Sequence, residues 1–350
     1  MPPSPLPPSA QAYAQAGVNL HMADALVGWA KAAAAQTRRP EQRSGIGGFS
    51  AAFKLPTGYQ APVLLAACDG VGTKLELAQS EGDYSSIGID LVAMSVNDLL
   101  AQGGEPVGFL DYIAAGLLEQ VWLEALLNSI AQGCVQAGCA LMGGETAEMP
   151  GFYPQGRFDV AGFCIGVAEE ARLYPKQDRL QAGDVLIGLA STGPHSNGYS
   201  LIRQRLQATT AQPDWLMPAL LAPTQIYVKP VLALLKQLPE AIGAMAHITG
   251  GGLIDNVPRV LPEGLSANIN PQSWPKAPVW QWLQTTPGCE PLTDAAMAHT
   301  FNWGVGYVLI VSKAQADTVL QAWQAMAEAP EAFVIGELIA HEGTPRVFLQ

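Results

Sequence analysis

Residues 63–74 read Val-Leu-Leu-Ala-Ala-Cys-Asp-Gly-Val-Gly-Thr-Lys, an apolar run that ends in an aspartate and a glycine-rich turn. Short apolar runs bounded by turn residues predict buried strands, and glycine permits the tight turn that follows. Similar transitions from a strand to a helix recur along the 350 residues. The pattern predicts an α+β protein built from mixed α/β sheets.

A chain of this length exceeds one comfortable hydrophobic core, which predicts two domains. The charged stretch around residues 170–182 contains Pro175 and precedes the turn signal Gly183-Asp184, so we place the boundary there. We expect a disordered proline-rich extension over residues 1–12, an N-terminal α+β domain over 13–172 and a C-terminal α+β domain over 173–350.

The apolar and helical periodicities predict individual elements in both domains. Strands are expected at 63–68, 107–114, 158–167, 185–190, 245–249, 307–311 and 332–339. Helices are expected at 24–35, 86–101, 119–137, 200–207, 226–238 and 314–327.

The composition excludes several classes of protein. With 49% hydrophobic and 14% charged residues the chain is globular, yet no apolar run is long enough to cross a bilayer, so no membrane contact is expected. A formal charge of −12 opposes binding to nucleic acid. The five cysteines form no C-x-x-C pair, which argues against a zinc site and for free thiols in a reducing compartment. The proline-rich start lacks the features of a signal peptide, so we expect a cytoplasmic protein.

Glycine-rich segments concentrate the chemistry. They are Gly45-Ile46-Gly47-Gly48-Phe49, Asp69-Gly70-Val71-Gly72-Thr73-Lys74, Gly143-Gly144-Glu145-Thr146, Thr192-Gly193-Pro194-His195-Ser196-Asn197-Gly198 and Thr249-Gly250-Gly251-Gly252. Backbone N–H groups at glycines approach phosphate oxygens closely, so several such loops favour a polyphosphate ligand. Any one of them is equally consistent with a plain turn. The chain has neither a P-loop nor a strand-linked G-x-G-x-x-G, so the nucleotide site is of another kind.

Carboxylates accompany these loops. Asp69 ends a strand run, Asp98 lies on an otherwise apolar helix, and Glu145 and Glu148 form an acidic pair that we expect on a tight loop. Asp90 precedes Asp98 by eight residues, about 80° around a helix, so both could face one cleft. Mg²⁺ takes one or two carboxylates plus phosphate oxygens, and Asp69, Asp98 and Glu145 supply that chemistry. Turn capping or solvation is the alternative role for each.

Two histidines have different settings. His195 lies in a polar loop beside Asn197, which favours contact with substrate over burial in the core. His247 lies in the apolar run 245–248, which favours burial in the fold.

Taken together and in order, these segments resemble the phosphoribosylformylglycinamidine cyclo-ligase family, also called aminoimidazole ribonucleotide synthetases. The matching segments are YAQAGV from Tyr13, TRRP from Thr37, DGVGTKL from Asp69, GIDLVAMSVNDLL from Gly88, FLDY from Phe109, GGETAEMPG from Gly143, DVAGFCIG from Asp159, GPHSNGYSL from Gly193, LAPTQIYVK from Leu221, HITGGG from His247, NVPRVLP from Asn256 and FNWGVG from Phe301. Such density over nearly the whole chain is highly specific.

The resemblance implies an N-terminal sheet that completes a barrel across a homodimer, and ATP bound without a P-loop. It implies an ATP-dependent closure of formylglycinamidine ribonucleotide to aminoimidazole ribonucleotide, with ADP and phosphate released. Asp69, Asp98 and Glu145 would hold Mg²⁺, and Lys31 and Lys74 would neutralise charge. Nucleotide contacts are expected from Gly47, Gly48, Phe49, Asp69, Gly70, Gly72, Thr73, Lys74, Asp90, Gly143, Gly144 and Thr146. His195 with Asn197 would orient the substrate or move its proton, and Thr249, Gly250, Gly251 and Gly252 would bind the ribose phosphate.

The chain departs from the family pattern at Asn19-Leu20-His21, where acidic residues are usual, and this puts a carboxylate contact from that segment in doubt.

Two alternative functions stay open. One is another ATP-using enzyme of the same superfamily, such as a thiamine-phosphate kinase, although the GPHSNGYSL and DGVGTKL segments argue against it. The other is a catalytically silent ATP-binding scaffold, which loss of Asp69, Asp98 or His195 would have supported.

Overall fold

The computed structural model describes residues 20–209 and 211–350. The proline-rich extension expected over residues 1–12, the matching segment 13–18 and Asn19 lie outside this range. Within it, no helix is both long enough and apolar enough to span a membrane.

The N-terminal half forms one sheet covered by helices. Its elements are α1 (Leu20–Ala35), β1 (Pro62–Gly70), α2 (Lys74–Glu81), α3 (Ile87–Ala101), β2 (Glu105–Ala115), α4 (Gln120–Ala137), β3 (Ala140–Glu148) and β4 (Phe158–Glu169). The strand order is β1-β4-β2-β3. Strand β4 runs antiparallel to both β1 and β2, whereas β2 and β3 are parallel. The antiparallel strands follow from their sequence runs, but the parallel partner β3 was not predicted.

Helix α3 is the central packing element of this half. Nearly all its side chains are buried, because one face lies on the sheet and another on α4. Gly88 permits the close crossing with α4, since a Cβ there would lie 2.2 Å from the Ile130 amide nitrogen. Gly166 on β4 likewise leaves room for Leu99. The apolar segment GIDLVAMSVNDLL therefore acts as a core helix in which Asp90 and Asn97 are buried polar exceptions.

The second face of this sheet is left largely uncovered. We call it the open face; it carries Leu64, Cys68, Tyr112, Phe163 and Ile165. Leu64 is 61% exposed, Phe163 42% and Tyr112 37%. Because large apolar side chains in this density are unusual on a monomer's surface, the open face suggests an interface.

The C-terminal half contains a six-stranded sheet and seven helices among the described residues. Its elements are β5 (Val185–Ala190), α5 (Tyr199–Ala208), α6 (Leu216–Leu221), α7 (Val228–Gln237), β6 (Ile242–His247), α8 (Gly252–Asn256), β7 (Leu265–Ile269), α9 (Pro278–Gln284), α10 (Asp294–Thr300), β8 (Val305–Val311), α11 (Ala316–Gln324), β9 (Ala332–Ala340) and β10 (Val347–Leu349). The strand order is β10-β7-β9-β5-β8-β6. Strand β8 is buried along its whole length, as its continuous apolar run predicts.

The two sheets thus belong to separate halves of a mixed two-domain fold, as the sequence predicts. Residues 170–184 connect β4 to β5, and the predicted boundary at 172/173 falls within this connection. One local prediction was wrong: residues 143–148 are not a tight loop but part of β3, paired in parallel with β2 from Leu110 to Ala115. Pairing with a neighbouring strand overrides the turn preference of Gly143-Gly144.

Candidate active site between the two domains

A cavity of about 570 Å³ lies where the two domains meet. Its lining includes Asp69, Gly70, Gly72, Met94, Asp159, Val160 and Ala161 from the N-terminal half, and Ser196, Asn197, Thr249 and Gly250 from the C-terminal half. The DGVG turn, the GPHSNG loop and the TGGG loop were all predicted from sequence as ligand loops. The structure therefore brings three of the five predicted glycine-rich segments to one place.

Asp69 lines this cavity because β1 ends there, at Gly70. Its Oδ1 accepts a hydrogen bond from the Gly70 amide at 2.7 Å, which holds the carboxylate against the turn. Partial burial raises the pKa of Asp69, and the nearby charge of Asp98 raises it further. The two carboxylates therefore repel each other, and a bound cation would relieve that repulsion.

Asp98 lies near the end of α3 and faces the second domain. Its Oδ1 is 2.8 Å from Nδ1 of His247. A carboxylate can only accept, so Nδ1 carries the proton and His247 donates. His247 is 5% exposed, which confirms its predicted burial, whereas the Asp98 side chain is 46% exposed. A second cavity of about 330 Å³ is lined by Asp98, His247 and Arg259.

Glu145 does not join these acids within one chain. In the sheet register Asp69 pairs with Gly162, Gly162 with Asp111 and Asp111 with Gly144. Asp69 and Gly144 therefore lie in the same row across the sheet, but three strand spacings of about 4.8 Å place their strands roughly 14 Å apart. Glu145, the next residue, points to the opposite face. No cluster of three or more His, Cys, Asp or Glu that could hold a metal occurs in the described chain.

The glycines of β3 have a structural explanation. A Cβ at Gly144 would lie 2.5 Å from Oδ1 of Asp111, so the absence of a side chain accommodates that carboxylate. Gly143 and Thr146 lie in the same edge strand. In one chain these three residues are therefore away from the interdomain cavity, and their expected nucleotide contacts stay predictions.

His195 is buried, unlike our expectation of a substrate-facing side chain. It is 1% exposed, and its backbone has a φ of 60°. Its Nε2 lies 3.4 Å from the amides of both Thr192 and Gln225, so this nitrogen is the acceptor. Burial lowers the pKa of His195 well below its ordinary value, and the ring is neutral at pH 7. Its neighbours Ser196 and Asn197 line the cavity instead.

Lys74 and Asp90 were both predicted to contact the nucleotide, but in the structure they are buried and contact each other. Lys74 Nζ lies 2.8 Å from Asp90 Oδ2, and both side chains are 0% exposed. Burial lowers the pKa of Lys74 and raises the pKa of Asp90, while each charge opposes the shift of the other. The remaining members of this motif, Gly72 and Thr73, are closer to the surface, and Thr73 Oγ1 lies 3.3 Å from Ser200 Oγ.

The first glycine-rich loop lies beside Lys31, at a separate cavity. A Cβ at Gly47 would lie 3.6 Å from Lys31 Nζ, and the adjacent cavity of about 530 Å³ is lined by Lys31, Arg38, Arg43 and Gly45. Gly48 follows Gly47 in a turn, and the Phe49 ring is fully exposed. The cationic lining suits an anionic group in a chain of net charge −12.

The TGGG loop is held in shape by Asn256. Its Nδ2 donates to the carbonyls of Gly250 at 3.1 Å and Gly252 at 2.8 Å. Gly251 has a φ of 89°, a conformation that favours glycine. A Cβ at Gly250 would lie 3.4 Å from Asn197 Oδ1, so the two predicted substrate loops are in contact.

Sequence reasoning missed three polar residues of this region. Asn97, Thr224 and Asp111 are all buried. Asn97 and Asp111 interrupt apolar runs, and a polar residue inside such a run was the available signal. Thr224 had no comparable signal, because its partner Asp90 lies 134 positions away along the chain.

Comparison with known families agrees with this geometry. Residues 51–168 match the model for the N-terminal domain of AIR synthase-related proteins, and residues 181–347 match the model for their C-terminal domain. The chain is 48% identical over 342 residues to phosphoribosylformylglycinamidine cyclo-ligase of Xanthomonas campestris pv. campestris, covering 96% of this chain and 98% of that protein. It is 48% identical over 336 residues to the enzyme of that name from Bordetella petrii, covering 94% and 95%.

Solved structures share the fold at low identity. Thiamine-monophosphate kinase from Stenotrophomonas maltophilia superposes with a TM-score of 0.66 at 18% identity, over 90% of this chain and 94% of that one. The hydrogenase maturation protein HypE, in complex with ATP, superposes with a TM-score of 0.61 at 17% identity, over 90% and 88%.

The fold and the interdomain cavity thus define an AIR synthase-related protein. Within that class the chain belongs to the phosphoribosylformylglycinamidine cyclo-ligase family, as the sequence motifs predict. The reaction class follows: a ligase that forms a carbon–nitrogen bond in purine biosynthesis.

Asp111 gives a pH-dependent prediction. Burial raises its pKa from 3.8 to about 7, and none of the ion pairs in the described chain includes it. Its folded pKa is raised, so wild-type stability falls as the pH rises between these two values. Asp111→Asn removes that cost. Its gain in unfolding free energy over wild type should be small at pH 4 and increase to no more than about 4 kcal/mol at pH 8.

Thermal melts from pH 4 to 8 measure this, with Asp214→Asn, an exposed carboxyl, as the control. A stability difference for Asp111→Asn that stays constant with pH would show that Asp111 is already ionised in the folded protein at low pH.

Proposed function

We propose that this chain uses ATP to close the imidazole ring of aminoimidazole ribonucleotide from formylglycinamidine ribonucleotide. The observation that carries the proposal is the interdomain cavity, which gathers the DGVG, GPHSNG and TGGG loops in a chain 48% identical to cyclo-ligases over almost its full length. A formyl oxygen is a poor leaving group. It takes the γ-phosphoryl group and the terminal P–O bond of ATP breaks, releasing ADP.

Ring closure then needs one bond made and one broken. An amidine nitrogen attacks the formyl carbon, the new C–N bond forms, and the phosphorylated oxygen leaves as inorganic phosphate while the nitrogen loses a proton. The chain's contribution is to hold the two reactants in line and to exclude water from the phosphorylated intermediate.

Asp69 and Asp98 fit a magnesium ion, because two neighbouring carboxylates plus phosphate oxygens are a usual ligand set. When bound there, Mg²⁺ would neutralise charge on the phosphates. Gly72 is exposed in the turn that follows, so its backbone amide would reach a phosphate oxygen, whereas the Gly70 amide already donates to Asp69. Lys31 and the loop containing Gly47, Gly48 and Phe49 would contact the nucleotide from the cavity of about 530 Å³ that Lys31, Arg38 and Arg43 line.

The opposite wall suits the ribonucleotide substrate. Asn197 offers an amide that can both donate and accept, and Thr249 with Gly250 to Gly252 would contact the ribose phosphate. His195 lies behind this wall, where its neutral ring accepts hydrogen bonds from the backbone amides of Thr192 and Gln225. Its contribution is therefore to position Ser196 and Asn197.

We also place the chain in the cytoplasm. Cys68, Cys134, Cys139, Cys164 and Cys289 are all free thiols, as is usual in a reducing compartment.

Asp98→Asn tests the metal proposal. Wild type should release ADP in a coupled assay only when formylglycinamidine ribonucleotide is present. The variant removes one full charge from the cation's surroundings, so kcat/KM for ATP should fall by roughly 100-fold or more at limiting Mg²⁺. Part of the loss should return as Mg²⁺ is raised, because added metal drives a weakened site toward occupancy.

His247→Ala provides the matched control, since it removes the hydrogen-bond partner of Asp98 and leaves the carboxylate in place. We expect a smaller loss with little dependence on Mg²⁺. Wild-type kinetics of Asp98→Asn at limiting Mg²⁺ would exclude the residue as a ligand, whereas ADP release by wild type without the ribonucleotide would contradict the function itself.

We propose in addition that two copies pair through the open face into a homodimer. The support is the exposed apolar surface of Leu64, Phe163 and Tyr112 on the open face, whereas helix α3 covers the other face of the same sheet. Two such faces would bury each other and close the two sheets into a barrel, which removes their exposed edges. Glu145 lies on this face and would then point toward the partner.

Phe163→Asp tests the homodimer. By symmetry the change puts two charges into one interface, so light scattering should give the mass of a monomer. Val121→Asp is the control, because Val121 is 83% exposed on α4 and lies outside the open face. A monomeric wild type, or a Phe163→Asp dimer, would contradict the proposed interface.

A further inference from the structure

Helix α3 sends two buried polar side chains toward the second domain. Asp90 and Asn97 are each 0% exposed and lie seven residues apart. Seven residues advance a helix by about 700°, so the two side chains point within roughly 20° of one another. The helix therefore presents one polar stripe to the C-terminal half.

That stripe meets an irregular segment, residues 222–227, which connects α6 to α7. A buried segment without secondary structure must find other partners for its backbone groups. Asp90 Oδ1 accepts from the Thr224 amide at 2.7 Å and from Thr224 Oγ1 at 2.6 Å. Asn97 donates to the Gln225 carbonyl at 2.8 Å and accepts from the Tyr227 amide at 3.0 Å.

Lys74 completes the arrangement from the start of α2. Its Nζ lies 2.8 Å from Asp90 Oδ2 and donates to the Ala222 carbonyl at 2.7 Å. The ammonium also lies 5.7 Å from the centre of the Tyr199 ring. Because the Lys74 side chain is fully enclosed and its charge is matched by Asp90, it is not available to a phosphate at the cavity surface.

The same segment supports the loop that lines the cavity. Thr224 Oγ1 gives its one proton to Asp90, so Ser196 Oγ, 3.2 Å away, must be the donor to Thr224. The amide of Gln225 points at His195 Nε2 at 3.4 Å. Two successive residues of the segment thus bind two successive residues of the loop, immediately before Asn197.

We propose that Lys74, Asp90 and Thr224 form a positioning clamp: the N-terminal domain uses it to set the loop bearing Ser196 and Asn197, and none of the three contacts the nucleotide. This inference rests on the proposed function, which assigns the loop to the ribonucleotide. The clamp acts on the substrate wall of the cavity, opposite Asp69. Disturbing it should therefore affect the ribonucleotide and ring closure while leaving ATP binding intact.

The first test compares Thr224→Val with Thr224→Ser in the full chain. Valine has a similar shape without the hydroxyl, so both the bond to Asp90 Oδ1 and the one from Ser196 are lost. We expect kcat/KM for the ribonucleotide to fall on the order of 10- to 100-fold, as expected for a displaced contact. The Kd for ATP, measured by calorimetry without the ribonucleotide, should stay within about twofold, a difference of under 0.5 kcal/mol. Serine should restore most of the activity.

An unchanged kcat/KM in Thr224→Val would overturn the clamp. An equal loss of ATP affinity would do so too, because it would return these residues to the nucleotide site.

The second test needs no variant. Wild-type protein is treated briefly with an amine-acylating reagent, with and without ATP and Mg²⁺, and lysine modification is read by mass spectrometry. Lys74 should stay unmodified in both states, whereas exposed Lys31 should be modified without ATP. Modification of Lys74 that ATP suppresses would overturn the proposal, and this result holds even if Thr224→Val fails to fold. Because labelling is independent of turnover, a failure of the proposed reaction would be seen separately, in the wild-type assay.

Discussion

A buried ion pair at the domain junction is the constraint on which this structure depends. Lys74 and Asp90 are withdrawn from water together, and each is compensated only while the other and the segment 222–227 remain in place. Removing one partner from such a pair costs about 3–5 kcal/mol, because the remaining charge is left buried and unpaired. The relative position of the two domains is therefore fixed by electrostatics as well as by apolar packing. The same contacts fix the positions of the residues that line the cavity between the domains.

The carboxylates of Asp69 and Asp98 lie in a different electrostatic setting. Burial raises the pKa of Asp69 and the charge of Asp98 raises it further, while His247, which is hydrogen-bonded to Asp98, lowers it. The enclosed Lys74–Asp90 pair therefore holds the two domains together, whereas Asp69 and the partly exposed Asp98 are the acids that the proposed function assigns to a metal-bound polyphosphate. The DGVGTK segment serves both, because β1 ends at the cavity and α2 begins at the clamp.

Local pattern was enough to predict much of this arrangement. The strand that presents Asp69, the apolar helix α3 and the burial of His247 all follow from short-range signals. The predictions that were wrong concern residues whose contacts lie far away along the chain. Glu145 was assigned to a loop because Gly143-Gly144 resembles a turn, but parallel pairing with β2 makes the segment a strand on the far edge. His195 has polar neighbours in sequence, yet its ring turns toward Gln225, thirty positions later. The partner of Asp90 is farther still, and no local pattern reports such a contact.

The proposed function requires that ATP activates the formyl oxygen. This step can be followed with formylglycinamidine ribonucleotide carrying ¹⁸O at that oxygen and mass spectrometry of the products of a single turnover. We expect the label in inorganic phosphate and in neither ADP nor water, since the P–O bond to the formyl oxygen forms before the C–O bond breaks. Label released to water, with unlabelled phosphate formed alongside the ring, would contradict it.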